Sequence, residues 1–287
     1  MIDSLTGQGI DVRHACLMLD VSRSGYYSWK NGPPSPRSLR HLWLCGEIVD
    51  IHRDSGGTYG TLRVTAELRH GRDVVIGHNT VSMLMKRLGI RGLPTRRLPK
   101  SARVGSVTSL DLVCRDFVSN APNRLWMTDI TEHPTREGKV YCCVVLDAFS
   151  RKIVGWSIDS SQTTALVSNA LGMAVKERNP EAEAIIHSDR GAQFTSWAFT
   201  QKVKNAGLAP SMGSVGSAHD NAMVESFWAR MQVELLNRKR WKTRIELATA
   251  IHDYIVIFHN KKRRHSALNM LTPEAFENQY QSNRMAA

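Results

Sequence analysis

The 287-residue sequence lacks the long apolar segments and paired cysteines that mark membrane-spanning and disulfide-bonded proteins. It contains no run of about 18 uncharged apolar residues, which argues against a transmembrane helix. The first residues carry no basic block followed by an apolar block, so we expect no secretory signal and a cytoplasmic location. Five cysteines without a C-x-x-C pair predict reduced, mostly buried thiols and argue against a zinc site.

Acidic residues are scarce relative to basic ones. The chain has 26 Asp and Glu against 38 Lys and Arg, which gives a net charge of +12 and favours a polyanionic partner. The basic residues are also clustered: residues 86–103 hold seven Lys or Arg and no acid, and shorter basic runs occupy 238–244 and 261–264. A single basic run is as often a solvated surface as a binding site, so composition alone does not identify the partner.

The sequence pattern divides the chain into five segments, although the length alone suggests about two domains. They are an N-terminal helical segment at 1–53, a second helical segment at 54–95, a basic linker at 96–120, an α/β core at 121–236 and a basic helical segment at 237–287. Helix, short turn and helix in the first segment form a helix-turn-helix pattern, but a plain helical hairpin fits equally well. In the second segment Val81, Leu84, Met85 and Leu88 are predicted core positions.

The core segment changes from helical periodicity to alternating and continuous apolar runs. Strands are predicted at 125–130, 140–147 and 152–158, then a helix at 163–176, a strand ending at residue 189, a helix at 196–206, a strand at 208–211 and a further helix. This order predicts an α/β sheet. One more helix is predicted at 244–258, after the core.

Three acidic residues in different settings are candidate metal ligands. Asp129 and Asp189 each close an apolar, strand-like run, and Glu225 lies on a predicted helix; 59 residues separate the first two acids and 35 the last two. Divalent cations such as Mg²⁺ prefer carboxylate oxygens, and two-metal phosphoryl transfer needs several of them at one point. Each acid alone also has an ordinary explanation as a turn, cap or surface residue. Asp147, at another strand end, is interpreted either as a residue that supports the metal ligands from behind or as a turn residue, and His187 is interpreted as a core histidine.

Four strings set around these acids resemble a known family. WMTDIT, HSDRGAQF, DNAMVESFW and HNKKRRHSALNMLTPEAF resemble segments of the orfB-type transposases of bacterial insertion sequences, a DDE family whose catalytic core is similar to that of retroviral integrases. The resemblance runs from Val21 to Phe276, although the family usually has Tyr-Asn where this chain has His259-Asn260. It implies a ribonuclease H-like core, with a mixed five-stranded sheet and flanking helices, preceded by small all-α segments of helix-turn-helix type.

The resemblance also implies a reaction and a cofactor. The expected activity is Mg²⁺-dependent strand cleavage and strand transfer at the terminal inverted repeats of an insertion sequence. Asp129, Asp189 and Glu225 would be both the catalytic residues and the ligands of two Mg²⁺ ions, for which Mn²⁺ could substitute. The alternatives are a DNA-binding regulator with an inactive nuclease core and a nuclease without transfer activity. The complete set of acids argues against the first alternative, and the helical N-terminal region against the second.

Double-stranded DNA is the partner that the resemblance implies, as element ends and as target. We expect a homo-oligomer on DNA, located with the bacterial nucleoid, and the family adds a further candidate partner, the product of an upstream reading frame. The predicted DNA contacts are Asn79, Thr80 and Lys86 on a helix, Arg96, Arg97 and Lys100 in the linker, Asn221 near Glu225, and Arg238, Lys239, Arg240, Lys261, Arg263 and Arg264 in the C-terminal basic runs.

Changing Arg96, Arg97 and Lys100 together to Ala tests the linker. Each lost phosphate contact should reduce the slope of log affinity against log salt by about 0.9. We therefore expect weaker binding to all DNA sequences and a shallower salt dependence, measured by fluorescence anisotropy at several salt concentrations. Lost sequence preference with an unchanged slope would contradict a phosphate-binding role.

Overall fold

The computed structural model describes residues 1–93, 119–212 and 222–286. Four predicted DNA contacts, Arg96, Arg97, Lys100 and Asn221, lie outside these ranges. The chain forms two compact units, Met1–Val49 and Asp50–Ala287. The second unit holds the second helical segment, the α/β core and the C-terminal segment together, and all three predicted catalytic acids lie in it.

The first unit is helical, as its sequence predicts. Its helices are α1 (Ile2–Thr6), α2 (Val12–Met18), α3 (Arg23–Asn31) and most of α4 (Pro36–Asp54), which continues into the second unit. The Ser22 side chain caps α3 by accepting a hydrogen bond from the Gly25 backbone N–H at 3.0 Å. Tyr26 is buried and donates to Asp3 at 2.6 Å, whereas Trp29 is 74% exposed. The sequence pattern missed α1, because five residues are too few for a helical repeat to be visible.

The second unit continues with two helices, α5 (Thr61–Gly71) and α6 (His78–Arg87). Burial of Val81, Leu84 and Met85 on α6 confirms three of the four predicted core positions. The prediction for Leu88 is wrong, since it is 37% exposed. Leu88 is the C-terminal cap residue of α6, and the chain leaves the helix direction at Gly89, whose φ is +67°.

A mixed five-stranded sheet forms the centre of the second unit and confirms the ribonuclease H-like fold. Its strands are β1 (Leu125–Thr135), β2 (Gly138–Asp147), β3 (Ile153–Asp159), β4 (Ile185–Ser188) and β5 (Ala209–Met212), in the order β3-β2-β1-β4-β5. Strands β1, β2 and β3 are antiparallel neighbours, and β4 and β5 extend the sheet in parallel with β1. Helices α7 (Thr164–Arg178), α8 (Trp197–Asn205) and α9 (Ala222–Glu234) complete this core.

Alternation along β1 sends neighbouring side chains to two separate hydrophobic cores. Leu125 and Met127 belong to the core that contains Phe227 and Met231 of α9, whereas Trp126 belongs to the core built with α7 and α8. Asp129 has the same parity as Leu125 and Met127, so its side chain lies on the α9 side of the sheet. The strand pattern therefore determines which helix can meet the first predicted catalytic acid.

The C-terminal segment folds back on the sheet. After a 3₁₀ turn at Leu236–Arg238 come α10 (Arg244–Asp253), a π-helix (Tyr254–Lys262), a second 3₁₀ turn (Ser266–Leu268) and α11 (Pro273–Ala286). The predicted single helix at 244–258 is wrong beyond Asp253, where the winding widens. His259 donates from Nε2 to the Arg151 carbonyl at 2.8 Å. Asn260 accepts from the Ile153 N–H and donates to the Ile153 carbonyl, at 2.9 Å each. These contacts fix the π-helix to the β2–β3 turn and give the unusual winding a structural reason.

The cysteines in the described ranges are free thiols, and most of them are buried. Cys16, Cys142 and Cys143 are buried free thiols and Cys45 is half-buried, as predicted for the cysteines in the described ranges. None of the helices in the described part of the chain combines the length and apolarity that a bilayer crossing requires.

A buried ion pair joins α9 to the C-terminal segment. Glu234 accepts two hydrogen bonds from Arg263, at 2.7 Å each, and a third from the Tyr254 hydroxyl at 2.8 Å. Burial opposes ionisation of Glu234, but the hydrogen bonds and charge of Arg263 outweigh it and leave the pKa of Glu234 below its ordinary value. Both side chains are only 4% exposed, so neither can replace its partner with water.

Replacing Glu234 with Ala should destabilise the protein by about 3–5 kcal/mol, because it leaves the Arg263 guanidinium buried without a counter-charge. Urea unfolding at pH 7 measures the loss. Glu132→Ala is the matched control, since the Glu132–Lys139 pair is about half exposed and should contribute little. Equal losses in the two variants would contradict the assigned role of the buried pair.

Candidate active site

Asp129 lies in the middle of β1, opposite Val144 of β2. The prediction that the strand ends at this carboxylate is wrong: β1 runs six residues further, to Thr135, because those residues continue the antiparallel pairing with β2 as far as Gly138. The central position gives Asp129 a rigid backbone with a strand on either side. Its side chain is half-buried.

Asp189 reaches the same part of the sheet through parallel pairing. Met127 of β1 is the register partner of His187 of β4, and the two aspartates each lie two residues further along these strands. Asp189 follows directly after β4, as predicted, and is exposed. Its Oδ1 accepts a hydrogen bond from the Gly191 backbone N–H at 2.9 Å, which fixes the turn that leaves the strand.

Glu225 is placed by the packing of α9 on the sheet. Val224, Phe227 and Met231 are the buried positions that hold this helix, and Glu225 lies exposed in its first turn. Trp228 lies one helical turn beyond Glu225 and donates from Nε1 to Asp129 Oδ2 at 3.0 Å. This hydrogen bond connects the helix that carries the third acid directly to the first acid.

The three carboxylates interact electrostatically. Burial, together with the negative charges of Asp189 and Glu225, raises the pKa of Asp129 to about 6, against the lowering effect of hydrogen bonds from the Ile130 backbone and Trp228. Both other acids therefore lie within electrostatic range of Asp129. Within residues 1–93, 119–212 and 222–286, however, no three His, Cys, Asp or Glu side chains are arranged as a metal site. The acids share one edge of the core without forming a closed coordination cage.

The donor set fits a hard divalent cation. All three groups are carboxylates, the ligand type that Mg²⁺ and Mn²⁺ prefer. The raised pKa of Asp129 shows that two negative neighbours and burial disfavour its charge, and a cation would reverse that effect. Direct coordination by all three requires Glu225 or Asp189 to move closer to Asp129.

Two polar residues next to the acids are structural. Asp147 is fully buried and accepts hydrogen bonds from the backbone N–H groups of Asn123 at 2.7 Å and Phe149 at 2.9 Å, which confirms it as a turn residue. His187 is 1% exposed, and its Nδ1 lies 3.0 Å from the Ser211 hydroxyl, which confirms it as a core histidine.

The predicted DNA contacts in the described ranges differ in accessibility. Asn79 and Lys86 are exposed on α6, and Thr80 is half-buried there. Arg240 and Lys261 are exposed. All five side chains are at least partly accessible to DNA. Their contact with DNA remains a prediction.

Two further candidates already have protein partners. Arg238 donates to the Gly56 carbonyl. Lys239 pairs with Glu246 at 2.7 Å, and its ammonium lies 4.4 Å from the centre of the Trp241 ring. Both are exposed, so a DNA contact would have to compete with, or extend, these interactions.

The prediction of phosphate contacts for Arg263 and Arg264 is corrected. Arg263 is 3% exposed and bonded to Glu234, and Arg264 is 7% exposed, with its Nε 2.6 Å from Glu67 Oε2. Their guanidinium groups hold the C-terminal segment to α9 and α5, because a buried arginine requires a carboxylate close by. A run of adjacent basic residues in sequence does not reveal these partners.

Sequence reasoning also missed Trp228 as a site residue. The sequence held one indication of this role: Trp228 lies three residues after Glu225, which places both side chains on one face of a helix. Aromatic residues at helical spacing are usually core, so the spacing alone did not indicate a hydrogen bond to a catalytic candidate.

Comparison with known proteins agrees with this geometry. The family described as "Integrase core domain" matches residues 119–218, a second family of the same description matches 206–273, and an "HTH-like domain" family matches 43–97.

The chain is 35% identical over 267 residues to the "Insertion element IS600 uncharacterized 31 kDa protein" of Shigella sonnei, covering 92% of this chain and 98% of that protein. The "Transposase for insertion sequence element IS904" of Lactococcus lactis subsp. lactis (strain IL1403) is 34% identical over 246 residues, covering 85% and 97%. "Transposase InsF for insertion sequence IS3A" of Escherichia coli (strain K12) is 34% identical over 271 residues, covering 93% and 94%.

Asp129→Asn should stabilise the metal-free protein at pH 8 by about 2 kcal/mol. The folded protein retains the Asp129 proton up to a pKa of about 6, above the ordinary 3.8, so the stability linked to this group is full below pH 4 and is lost as pH rises to 6. Asn does not ionise and should keep that stability. Thermal unfolding in EDTA at pH 4 and pH 8 measures the difference.

The control is Asp253→Asn, which neutralises an exposed acid at the end of α10 and should change stability little at either pH. An Asp129→Asn variant that is less stable than wild type at pH 8 would show that the carboxylate contributes to folding rather than opposing it.

Proposed function

The chain belongs to the family of insertion-sequence transposases with an integrase core domain, and on that premise we propose that it cuts DNA at the terminal inverted repeats of its element and joins the ends to a target. Its class is that of the DDE polynucleotidyl transferases. The observation that supports the proposal most is that Asp129 of the central strand lies within electrostatic range of both Asp189, which follows its parallel neighbour β4, and Glu225 of the docked helix α9.

Both steps are displacements at phosphorus. In cleavage, a water oxygen bonds to the phosphorus of the element end, and the bond to the leaving 3′-oxygen breaks as that oxygen gains a proton. In strand transfer the freed 3′-hydroxyl takes the place of water: it loses its proton and its oxygen bonds to a target phosphorus, while the bond from that phosphorus to the target 3′-oxygen breaks and the leaving oxygen gains a proton. Neither step needs a covalent bond to the protein, so the site requires charge and positioning rather than a nucleophilic side chain.

Asp129, Asp189 and Glu225 are the groups that would hold divalent metal. Bound Mg²⁺ supplies activation of the attacking oxygen and stabilisation of the charge at phosphorus and the leaving oxygen. Trp228 is a positioning residue, since its indole N–H donates to Asp129 Oδ2 and fixes the orientation of the carboxylate. The backbone N–H of Gly191 orients Asp189 in the same way.

DNA is the substrate, and two ends must be brought together for transfer. Support for DNA contact comes from the HTH-like match over residues 43–97, which contains α6 and its exposed Asn79 and Lys86. We propose that the protein assembles as a homo-oligomer on paired ends, because one chain carries one set of three acids. A contribution from the product of an upstream reading frame is a further part of this proposal.

Asp129→Asn, Asp189→Asn and Glu225→Gln should each reduce cleavage and strand transfer by more than about a hundredfold, because losing several kcal/mol of charge stabilisation costs about tenfold per 1.4 kcal/mol. DNA binding should change less than about threefold, since binding rests mainly on basic residues elsewhere. Labelled element ends with Mg²⁺ or Mn²⁺, resolved on a denaturing gel, measure the products.

Asp253→Asn serves again as the matched control and should retain full activity. Activity that survives in one acid variant would remove that residue from the site. Sequence-specific binding by the wild-type protein without cleavage in either metal would instead favour the DNA-binding regulator.

A further inference from the structure

A basic cavity of about 430 Å³ lies beside α9, on the same face of the sheet as Asp129. Four arginines from separate elements line it: Arg63 of α5, Arg151 of the β2–β3 turn, Arg230 of α9 and Arg263 at the end of the π-helix. The corresponding sequence positions are spread over 200 residues and form no motif. Only the fold brings these guanidinium groups to one space.

The described residues that line the cavity include four arginines and no carboxylate. Glu234 is bonded to Arg263 and lies 4.0 Å from Arg63. Among the residues that the structure describes, no carboxylate lies within ion-pair distance of Arg151. Burial lowers the pKa of Arg151, and burial together with the charge of Arg263 lowers the pKa of Arg63. Both arginines are therefore placed where their charge is disfavoured in the ligand-free protein.

A polar atom of the cavity wall is also unsatisfied. His265 Nε2 is buried and has no hydrogen-bond partner within the described ranges. The His265 ring stands at 87° to the His259 ring, with the centres 4.9 Å apart, so the histidine is held in place rather than mobile at the surface. A buried polar atom without a partner is costly and usually indicates a missing ligand or water.

A bound anion would offset the positive charge of these arginines, and phosphate has the best-matched geometry for guanidinium groups. An arginine fork donates two parallel N–H groups, which suits the oxygens of a phosphate, and such charge-assisted hydrogen bonds are among the strong ones. A fatty or aromatic ligand would offer no counter-charge to Arg151, for which no ion pair is seen among the described residues. The cavity is also partly open, so a phosphate that belongs to a larger molecule can enter while the rest of that molecule stays outside.

We propose that this cavity is a phosphate-binding site in which Arg63, Arg151 and Arg230 contact the phosphate oxygens and the Arg263–Glu234 pair forms the fixed wall. Met127 and Ser226 line the same space, and they lie two residues before Asp129 and one after Glu225. A backbone phosphate of the DNA near the reacting bond is the expected source, and this choice of source rests on the proposed function. Free phosphate, alone or on a nucleotide, is the other source with the same chemistry.

Arg151→Gln tests the site in the full chain without metal or catalysis. Thermal unfolding is followed in EDTA while inorganic phosphate is titrated at constant ionic strength. The phosphate affinity should fall about tenfold or more, because one charge-assisted contact is lost. The ligand-free variant should unfold at a temperature equal to or above that of wild type, since it loses a half-buried charge that has no ion pair among the described residues.

Arg284→Gln is the control that removes the same charge from an exposed position on α11 outside the cavity, and it should behave as wild type. Arg151→Lys retains the charge without the fork and should give an intermediate phosphate affinity. If Arg151→Gln is poorly folded, the comparison of Arg151→Lys with wild type decides. Phosphate affinity that is the same in wild type, Arg151→Lys and Arg151→Gln, or no phosphate binding by wild type, would overturn the proposal.

A second arm identifies the source of the phosphate. Anisotropy with a random-sequence DNA duplex in EDTA should show weaker binding and a shallower salt slope for Arg151→Gln if the cavity holds a DNA phosphate. Lost phosphate binding with unchanged DNA binding assigns the cavity to free phosphate or a nucleotide. Both experiments measure binding without turnover. A failure to cleave DNA would therefore count against the proposed function but would not contradict the phosphate-binding site.

Discussion

The hydrogen bond from Trp228 to Asp129 is the contact on which the active-site geometry depends. It joins a central strand to the helix that carries Glu225, and the buried side chains of Val224, Phe227 and Met231 hold that helix against the sheet. Parallel pairing of β1 with β4 then brings Asp189 to the same level. Because each acid is attached to a different element of one hydrophobic core, the site forms only when the whole second unit has folded.

One helix, α9, links three features of the molecule. Its first turn presents Glu225, its second turn contacts Asp129 through Trp228, and its last residue, Glu234, is the buried partner of Arg263. Arg230, between them, lines the basic cavity. A shift of α9 would therefore change the spacing of the acids, the shape of the cavity and the geometry of the ion pair at the same time. Through the Glu234–Arg263 pair, the C-terminal segment thus contacts the same helix that carries Glu225. Burial disfavours the charge of Asp129 on one side and the charges of Arg63 and Arg151 on the other, which a bound cation and a bound anion would respectively offset.

Most of the strands could be predicted from the sequence, since buried strands leave continuous or alternating apolar runs that are bounded by turn residues. The length of β1 could not, because residues 130–135 are mixed in character and are held by pairing with β2 rather than by their own pattern. Arg263 and Arg264 were misassigned for a related reason: Glu234 and Glu67, which bury them, are distant in sequence. The acid spacing indicated the three carboxylates, but Trp228 and the arginines of the cavity depend on how α9 and the π-helix pack, which no local pattern contains. The π-helix likewise carries contacts that no local pattern contains, since His259 and Asn260 bond the backbone of Arg151 and Ile153.

The central claim is that these three carboxylates act together on divalent metal, and counting bound Mn²⁺ tests it most directly. Electron paramagnetic resonance of free Mn²⁺, titrated into the protein with element-end DNA, gives the number of ions taken up per chain. Two ions per chain, reduced to at most one in Asp129→Asn and unaffected in Asp253→Asn, is the predicted result. Uptake that is identical in wild type and Asp129→Asn would contradict the claim, whatever the DNA affinity of the two proteins.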